Sequence, residues 1–149
     1  MKLSEMFGHW GQVRADLLAT IDKFGDDELT FAPFKGSWPA GKIMLYIAET
    51  EDFWLHSIVR GELDPGIDYG LADYPGKSAI KRALDLARSR TIPLLEGLTE
   101  SDLDTRYTMP DGESLTLRWI IWHVIEHEIH HRGELSLALG WLGRQGLDV

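Results

Sequence analysis

The chain has 149 residues, of which 44% are hydrophobic and 26% are charged, a balance typical of an ordinary globular protein. The length fits one hydrophobic core, so we predict a single domain over residues 1–149. A formal net charge of −9 repels phosphate backbones and anionic lipid surfaces, which argues against binding to nucleic acid or to membranes.

The residue content also limits the chemistry and the location. There is no cysteine, so disulfides, thiolate metal ligands and a protein thiol nucleophile are excluded, and any metal must be held chiefly by His, Asp or Glu. The residues Met1–Glu5 lack the apolar segment of a signal peptide, and apolar stretches such as Trp119–Trp122 are too short to span a bilayer. We therefore expect a cytoplasmic protein.

Four segments carry apolar residues at helical spacings of three and four, and stretches rich in Gly, Pro and Asp separate them. Ser37 is a favourable N-cap for the second predicted helix, and Pro93 is expected to bend or end the third. Ile92 and Trp119 are among the residues expected in the core. The predicted helices cover about Ser4–Lys23, Ser37–Arg60, Ser78–Leu95 and Thr116–Leu142.

The links between these helices indicate how the helices are arranged. The link over residues 61–77 is longer than a tight antiparallel turn requires. A link of this length can cross a bundle and let the second and third helices run parallel. Residues 104–113 are predicted to form a short extended pair around a turn. The sequence thus predicts an all-α four-helix bundle.

Four of the six histidines lie within the fourth predicted helix. His123, His127 and His131 stack one turn apart, and His130 and Glu134 fall in the same sector of the helix. Two imidazoles four positions apart are the arrangement in which helices chelate zinc and similar ions, with a third ligand from elsewhere. The alternative is a solvated polar face, which the neighbouring core positions disfavour, because imidazoles buried without partners are costly.

The same stretch satisfies the His-Glu-x-x-His pattern of zinc metalloproteases. In that interpretation Glu128 would be a general base beside His127 and His131. Four helices offer no substrate-binding sheet, so this spacing alone indicates a protease only weakly.

Three segments carry a family resemblance. Residues Trp122–Leu135 resemble the fourth-helix motif of the DinB-like superfamily (the DinB/YfiT type), Ile47–Trp54 resembles its second helix, and Leu139–Arg144 resembles its ending. The resemblance implies a four-helix bundle in up-down-down-up order with a long crossover between helices two and three. It also implies a homodimer.

In that family three histidines typically hold a divalent metal. For this chain we expect the metal to be zinc or nickel. The resemblance maps two of them onto His127 and His131, whereas the helix-two position is Tyr46. A phenol is a poor ligand near neutral pH because its unperturbed pKa is about 10.

Tyr46 leaves three alternatives open. The metal is held with a substitute such as His123, Glu49 or water. Tyr46 binds it as a phenolate, with its pKa lowered by the ion. Or the site is empty of metal, Tyr46 is hydrogen-bonded to a histidine, and the pocket serves another ligand. Arg132 points away from the histidines and is either a salt-bridge partner or a substrate clamp.

Two functions follow from the resemblance and the histidines. The first is a metal-dependent enzyme, a hydrolase or an S-transferase that uses a low-molecular-weight thiol, since the chain has no thiol of its own. The second is a metal-free, dimeric and stress-related module that binds a small molecule. The sequence names no substrate.

Overall fold

The structure is a computed structural model that describes residues 1–147. It is mostly helical, with a small antiparallel sheet of two strands that pairs Tyr107 with Leu115. The elements are α1 (Leu3–Met6), α2 (Trp10–Asp22), α3 (Ala40–Glu51), α4 (Gly76–Gly97), β1 (Arg106–Thr108), β2 (Ser114–Thr116) and α5 (Leu117–Trp141). The predicted helical fold is confirmed, and an extended pair does form, although its second strand lies just after the predicted residues 104–113.

The first predicted helix is interrupted. Residues 7–9 separate α1 from α2, and Gly8 in this break has a low helix propensity. The backbone N–H of Leu3 donates to the carbonyl of Leu98 at 3.0 Å. This bond ties α1 to the end of α4, so the prediction of one continuous helix was wrong.

The second predicted helix starts later than expected. The Ser37 hydroxyl donates to the carbonyl of Phe34 at 2.8 Å and closes a loop instead of capping, and α3 begins at Ala40 with Pro39 before it. After Glu51 the helix continues with π-helical hydrogen bonding over Asp52–Val59. Such turns are frequent near functional sites.

The third predicted helix passes through Pro93 and ends at Gly97. Pro93 and Ser89 both lie on the exposed side, so the Ser89 carbonyl that loses its helical partner can bond to water. Ile92 also lies there, 49% exposed, because Thr91 and Leu95 take the buried face. The helix therefore does not end at Pro93, one of the two effects expected of this proline, and the core position of Ile92 was wrong.

α5 begins close to its predicted boundary. Thr116 is its N-cap, and the Thr116 hydroxyl accepts a hydrogen bond from the N–H of Trp119 at 3.2 Å. Trp119 is 43% exposed, contrary to its expected core position.

Helices α2–α5 pack around two clusters of buried apolar side chains. α3 contacts both α4 and α5, and α2 contacts α5. No helix within residues 1–147 is long and apolar enough to cross a bilayer. One cluster includes Leu17, Ile47, Leu84 and Leu135, and the other includes Trp10, Leu55, Leu95 and Ile120.

Two leucines of α4 test this core. Leu84 is fully buried and Leu86 is 56% exposed. We expect Leu84→Ala to lower the free energy of unfolding by about 3 kcal/mol, because it leaves a cavity. Leu86→Ala, the matched control, should cost less than about 1 kcal/mol. Urea denaturation followed by circular dichroism measures both, and equal losses would contradict the assigned core.

Candidate functional site

Three side chains singled out by the sequence lie together between α3 and α5. The ring of Tyr46 is steeply inclined to two imidazoles of α5, with its centroid 4.7 Å from that of His127 and 5.4 Å from that of His131. The two imidazole centroids are 4.3 Å apart, because residues four positions apart share one helix face. Tyr46 thus lies opposite the histidine pair.

His127 is held as a neutral imidazole. Its Nε2 lies 3.3 Å from the hydroxyl of Thr50 on α3. Burial and the neighbouring imidazoles, His131 first among them, lower the pKa of His127 to about 3. A neutral imidazole offers a lone pair near neutral pH, so it can accept a hydrogen bond or bind a metal ion.

His131 is oriented by a carboxylate one turn further along α5. Its Nδ1 lies 2.7 Å from one oxygen of Glu134, and Nε2 of His130 lies 3.1 Å from the other. A carboxylate on one imidazole nitrogen fixes the ring and leaves the second nitrogen for a metal. His130, His131 and Glu134 also have ligand atoms within 4.8 Å of one another, although 68% of the His130 side chain is exposed.

The two predicted substitute ligands are held by other contacts. His123 stacks on Trp119 at 4.6 Å between ring centroids and lies 6.3 Å from His127. Glu49 accepts a hydrogen bond from the backbone N–H of Tyr69 at 2.9 Å and pairs with a lysine of its own helix at 3.4 Å. Within residues 1–147, neither residue has a ligand atom grouped with those of the histidine pair.

Arg132 and Glu128 lie on other sides of α5. Arg132 lies 3.5 Å from Asp16 of α2 and lines the groove between these helices. Glu128 is 1% exposed and accepts hydrogen bonds from Arg14 and Trp10 in the core. Because its carboxylate is already bound there, Glu128 is unavailable as a general base, which removes the basis of the protease interpretation.

Four charged side chains, one from each of the helices α2–α5, meet in the core. Arg14 donates to Glu51 at 2.6 Å and to Glu128 at 2.7 Å. Arg88 donates to Glu51 at 2.9 Å and to Glu128 at 3.0 Å. Each carboxylate therefore bonds to both guanidinium groups in a closed, charge-balanced network, which we call the charge network.

The network keeps its buried members ionised. Burial alone would raise the pKa of Glu51, but Arg14 and Arg88 lower it to about 2. Burial alone would lower the pKa of Arg14, but Glu51 and Glu128 raise it above its usual value. Since removing one partner leaves an uncompensated buried charge, the network holds the four helices in one register.

Tyr46 lines two cavities. The larger one, about 440 Å³, has His131 and Glu134 in its wall and is otherwise mainly apolar. The smaller one, about 300 Å³, is lined by His123 and His127. A ligand in either cavity would therefore lie near one of the two paired imidazoles.

The donor set fits a divalent ion in part. His127 and His131 supply two imidazoles of the kind that bind zinc and nickel. Within residues 1–147, no set of three His, Asp or Glu side chains whose ligand atoms all lie within 4.8 Å of one another contains both His127 and His131. These residues therefore fit an ion with two imidazole ligands, and the phenol of Tyr46 lies beside the pair.

The chain belongs to the DinB superfamily, whose sequence profile matches residues 9–135. It is 29% identical to YizA of Bacillus subtilis over 63% of this chain and 58% of YizA. It is 23% identical to YjoA of the same organism over 85% of this chain and 81% of YjoA. Thus the chain spans less than two thirds of YizA.

Two solved structures share the fold. The crystal structure of the DinB-like protein YjoA from Bacillus subtilis superposes with a TM-score of 0.77 at 20% identity, covering 97% of this chain and 96% of that one. A DinB-like protein from Bacillus cereus superposes with a TM-score of 0.72 at 20% identity, covering 96% of this chain and 94% of that one.

The charge network was not among the features predicted from the sequence. Its signal was present, because Glu51 is four residues after Ile47 on the apolar stripe of α3, and Arg88 is four residues after Leu84 on α4. Two acids and two bases at core-facing positions of different helices indicate buried ion pairs.

The pH dependence of stability tests the network. The pKa of Glu51 in the folded chain is about 2, below its usual value of 4.5, so its contribution is complete above pH 4.5 and disappears as the pH falls towards 2. At pH 7 we expect Glu51→Gln to cost about 3 kcal/mol in unfolding free energy. This deficit should shrink as wild-type Glu51 becomes protonated.

The matched control is Glu126→Gln, at an exposed position of α5. Denaturant titrations of wild type and both variants from pH 7 to pH 2 give the comparison. Glu126→Gln should cost less than about 0.5 kcal/mol at pH 7. A Glu51→Gln deficit that stays constant down to pH 2 would show that Glu51 has no lowered pKa.

Proposed function

We propose that the chain is a metal-dependent enzyme that holds a divalent ion, zinc or nickel, on His127 and His131. The observation that carries the proposal is the pair of adjacent imidazoles facing Tyr46, with Nδ1 of His131 bonded to Glu134. This arrangement leaves the other nitrogen of His131 available to an ion. Membership of the DinB superfamily supports the same proposal.

The residues around the pair would perform the remaining tasks. A bound divalent ion supplies a nucleophile by lowering the pKa of a water or an external thiol. Thr50 holds the ring of His127, and Glu134 holds the ring of His131. Tyr46 stands at the third position, where a weak or absent protein ligand leaves room for water or substrate. The reaction class proposed is therefore hydrolysis or transfer to a low-molecular-weight thiol.

We also propose that the helices run in up-down-down-up order. The unusual step in that order is the parallel pair α3 and α4. Glu51 pairs with Arg88, and further along both helices His56 lies 3.0 Å from Thr91. Contacts that advance together along two helices support a parallel pair, and the segment 61–75 is long enough to join them.

Metal titration tests the site. Tag-free protein is titrated with zinc and with nickel by isothermal calorimetry. We expect wild type to bind one ion, and His127→Ala and His131→Ala to lose this binding. Tyr46→His should bind more than about tenfold tighter, since even outer-shell partners of a ligand change affinity by that factor.

His130→Ala is the matched control, because His130 is an exposed neighbour of the same residue type. It should leave the affinity unchanged. Binding that survives His127→Ala but is lost in His130→Ala would assign the ion to the exposed group of His130, His131 and Glu134. Binding by Tyr46→His with none by wild type at micromolar metal would refute the metalloenzyme proposal for this chain.

Activity is tested by thiol consumption with small electrophiles and by hydrolysis of activated esters. The zinc-loaded protein should turn over one of the two substrate classes, and chelation or His127→Ala should abolish turnover. Turnover that is unchanged by chelator and by His127→Ala would contradict the proposal.

A second function is a metal-free module that binds a small molecule. The observation that favours it is the mainly apolar cavity of about 440 Å³ beside Tyr46, which is of ligand size. This function would stand if wild type bound a ligand in that cavity and bound no ion.

A further inference from the structure

The larger cavity beside Tyr46 has an aromatic wall. It lies between the loop before α3 and the C-terminal half of α5. Besides Tyr46 itself, the lining contains Phe31, Phe34 and Trp38. The ring of Trp38 lies 4.9 Å from that of Tyr46 and nearly perpendicular to it. We call this space the aromatic cavity.

Large apolar side chains around this cavity are in contact with solvent. Phe34 is 69% exposed, Trp38 is 46% exposed, and Leu137 on the opposite wall is 66% exposed. Single exposed apolar residues are ordinary, whereas several that line one concave surface mark a binding site. A ligand placed between them would remove all three from water.

Hydrogen bonds hold the backbone of the loop that carries the aromatic wall. The hydroxyl of Ser37 accepts from the N–H of Phe34 at 3.3 Å and donates to its carbonyl at 2.8 Å. The N–H of Ala40 donates to the carbonyl of Phe31 at 2.9 Å, which fixes the loop to the start of α3. Because this loop backbone is already held in place, binding a ligand requires less loss of conformational entropy.

The polar groups of the cavity favour an uncharged or positively charged ligand. His131 and Glu134 lie in its wall, and the chain as a whole has a formal net charge of −9. An aromatic acid would bring a second negative charge next to the Glu134 carboxylate, which costs free energy. A ring without a negative charge meets no such penalty.

The geometry points to a flat aromatic molecule without a negative charge as the ligand of the aromatic cavity. Its ring packs between Phe34, Trp38 and Leu137, and its polar end lies towards Tyr46 and His131. This inference rests on the proposed function, since it names the substrate class of the same site. The binding itself needs no metal.

The test uses N-phenyl-1-naphthylamine, an uncharged aromatic probe whose fluorescence rises in apolar surroundings. Wild type is titrated with the probe in the presence of EDTA, together with Phe34→Ala and Trp38→Ala. We expect saturable binding to wild type and about tenfold weaker binding to each variant, the loss of one aromatic contact. Circular dichroism of each variant checks that it is folded.

Two tryptophan variants serve as matched controls. Trp141 is 65% exposed and lines neither cavity beside Tyr46, and Trp122 lines a separate apolar groove between α2 and α5. Trp141→Ala and Trp122→Ala should change the affinity less than about twofold. The anionic analogue 1-anilinonaphthalene-8-sulfonate should bind more weakly than the uncharged probe.

Several outcomes would overturn the inference. They are no saturable binding to wild type, weaker binding in Trp122→Ala but not in Trp38→Ala, and tighter binding of the anionic analogue. Because EDTA is present, failure of the probe leaves the metal titration unaffected. Conversely, probe binding by a chain that binds no ion supports the aromatic cavity and removes only the metalloenzyme proposal.

Discussion

Two arginines and two glutamates meet in the middle of the helical core, and each comes from a different helix. Arg14 and Arg88 both donate to Glu51 and to Glu128, so each of these charges has two opposite partners. In every one of the four helices the charged residue lies between the residues of one apolar cluster and those of the other. The core thus consists of two apolar halves joined by an ionic layer. Loss of any one of the four charges would leave a buried charge uncompensated and would destabilise the fold.

The geometry of the candidate site depends on this ionic layer. Glu51 directly follows Thr50, whose hydroxyl lies 3.3 Å from His127. Glu128 directly follows His127, so the residue that anchors α5 is adjacent to the residue that faces α3. A shift of α5 by one turn would break both ion pairs of Glu128 and would also carry the imidazoles away from Tyr46. The same four charges therefore set the fold and hold the site in register.

Much of this arrangement was predictable from helical periodicity. The start of α5 and the shared face of its histidines follow from local sequence, and the family resemblance pointed to Tyr46 as their counterpart. The charge network was not predicted. Charged residues at core-facing positions, such as Glu51 and Arg88, indicate buried ion pairs, but the sequence does not show which residues of distant helices, such as Arg14 and Glu128, pair with each other. The predicted start of α3 was too early, because the Ser37 hydroxyl donates to the carbonyl of Phe34 in the preceding loop. The conformation of that loop, which N-cap preference does not predict, decides this bond.

The proposed metal site lies between α3 and α5, on His127 and His131. Crystals of the protein soaked in zinc, measured at the zinc absorption edge, test it most directly. We expect one anomalous peak at about 2.0–2.1 Å from a nitrogen of each of these imidazoles, beside Tyr46. A peak bound instead by His130 and Glu134, or no peak near His127, would contradict it.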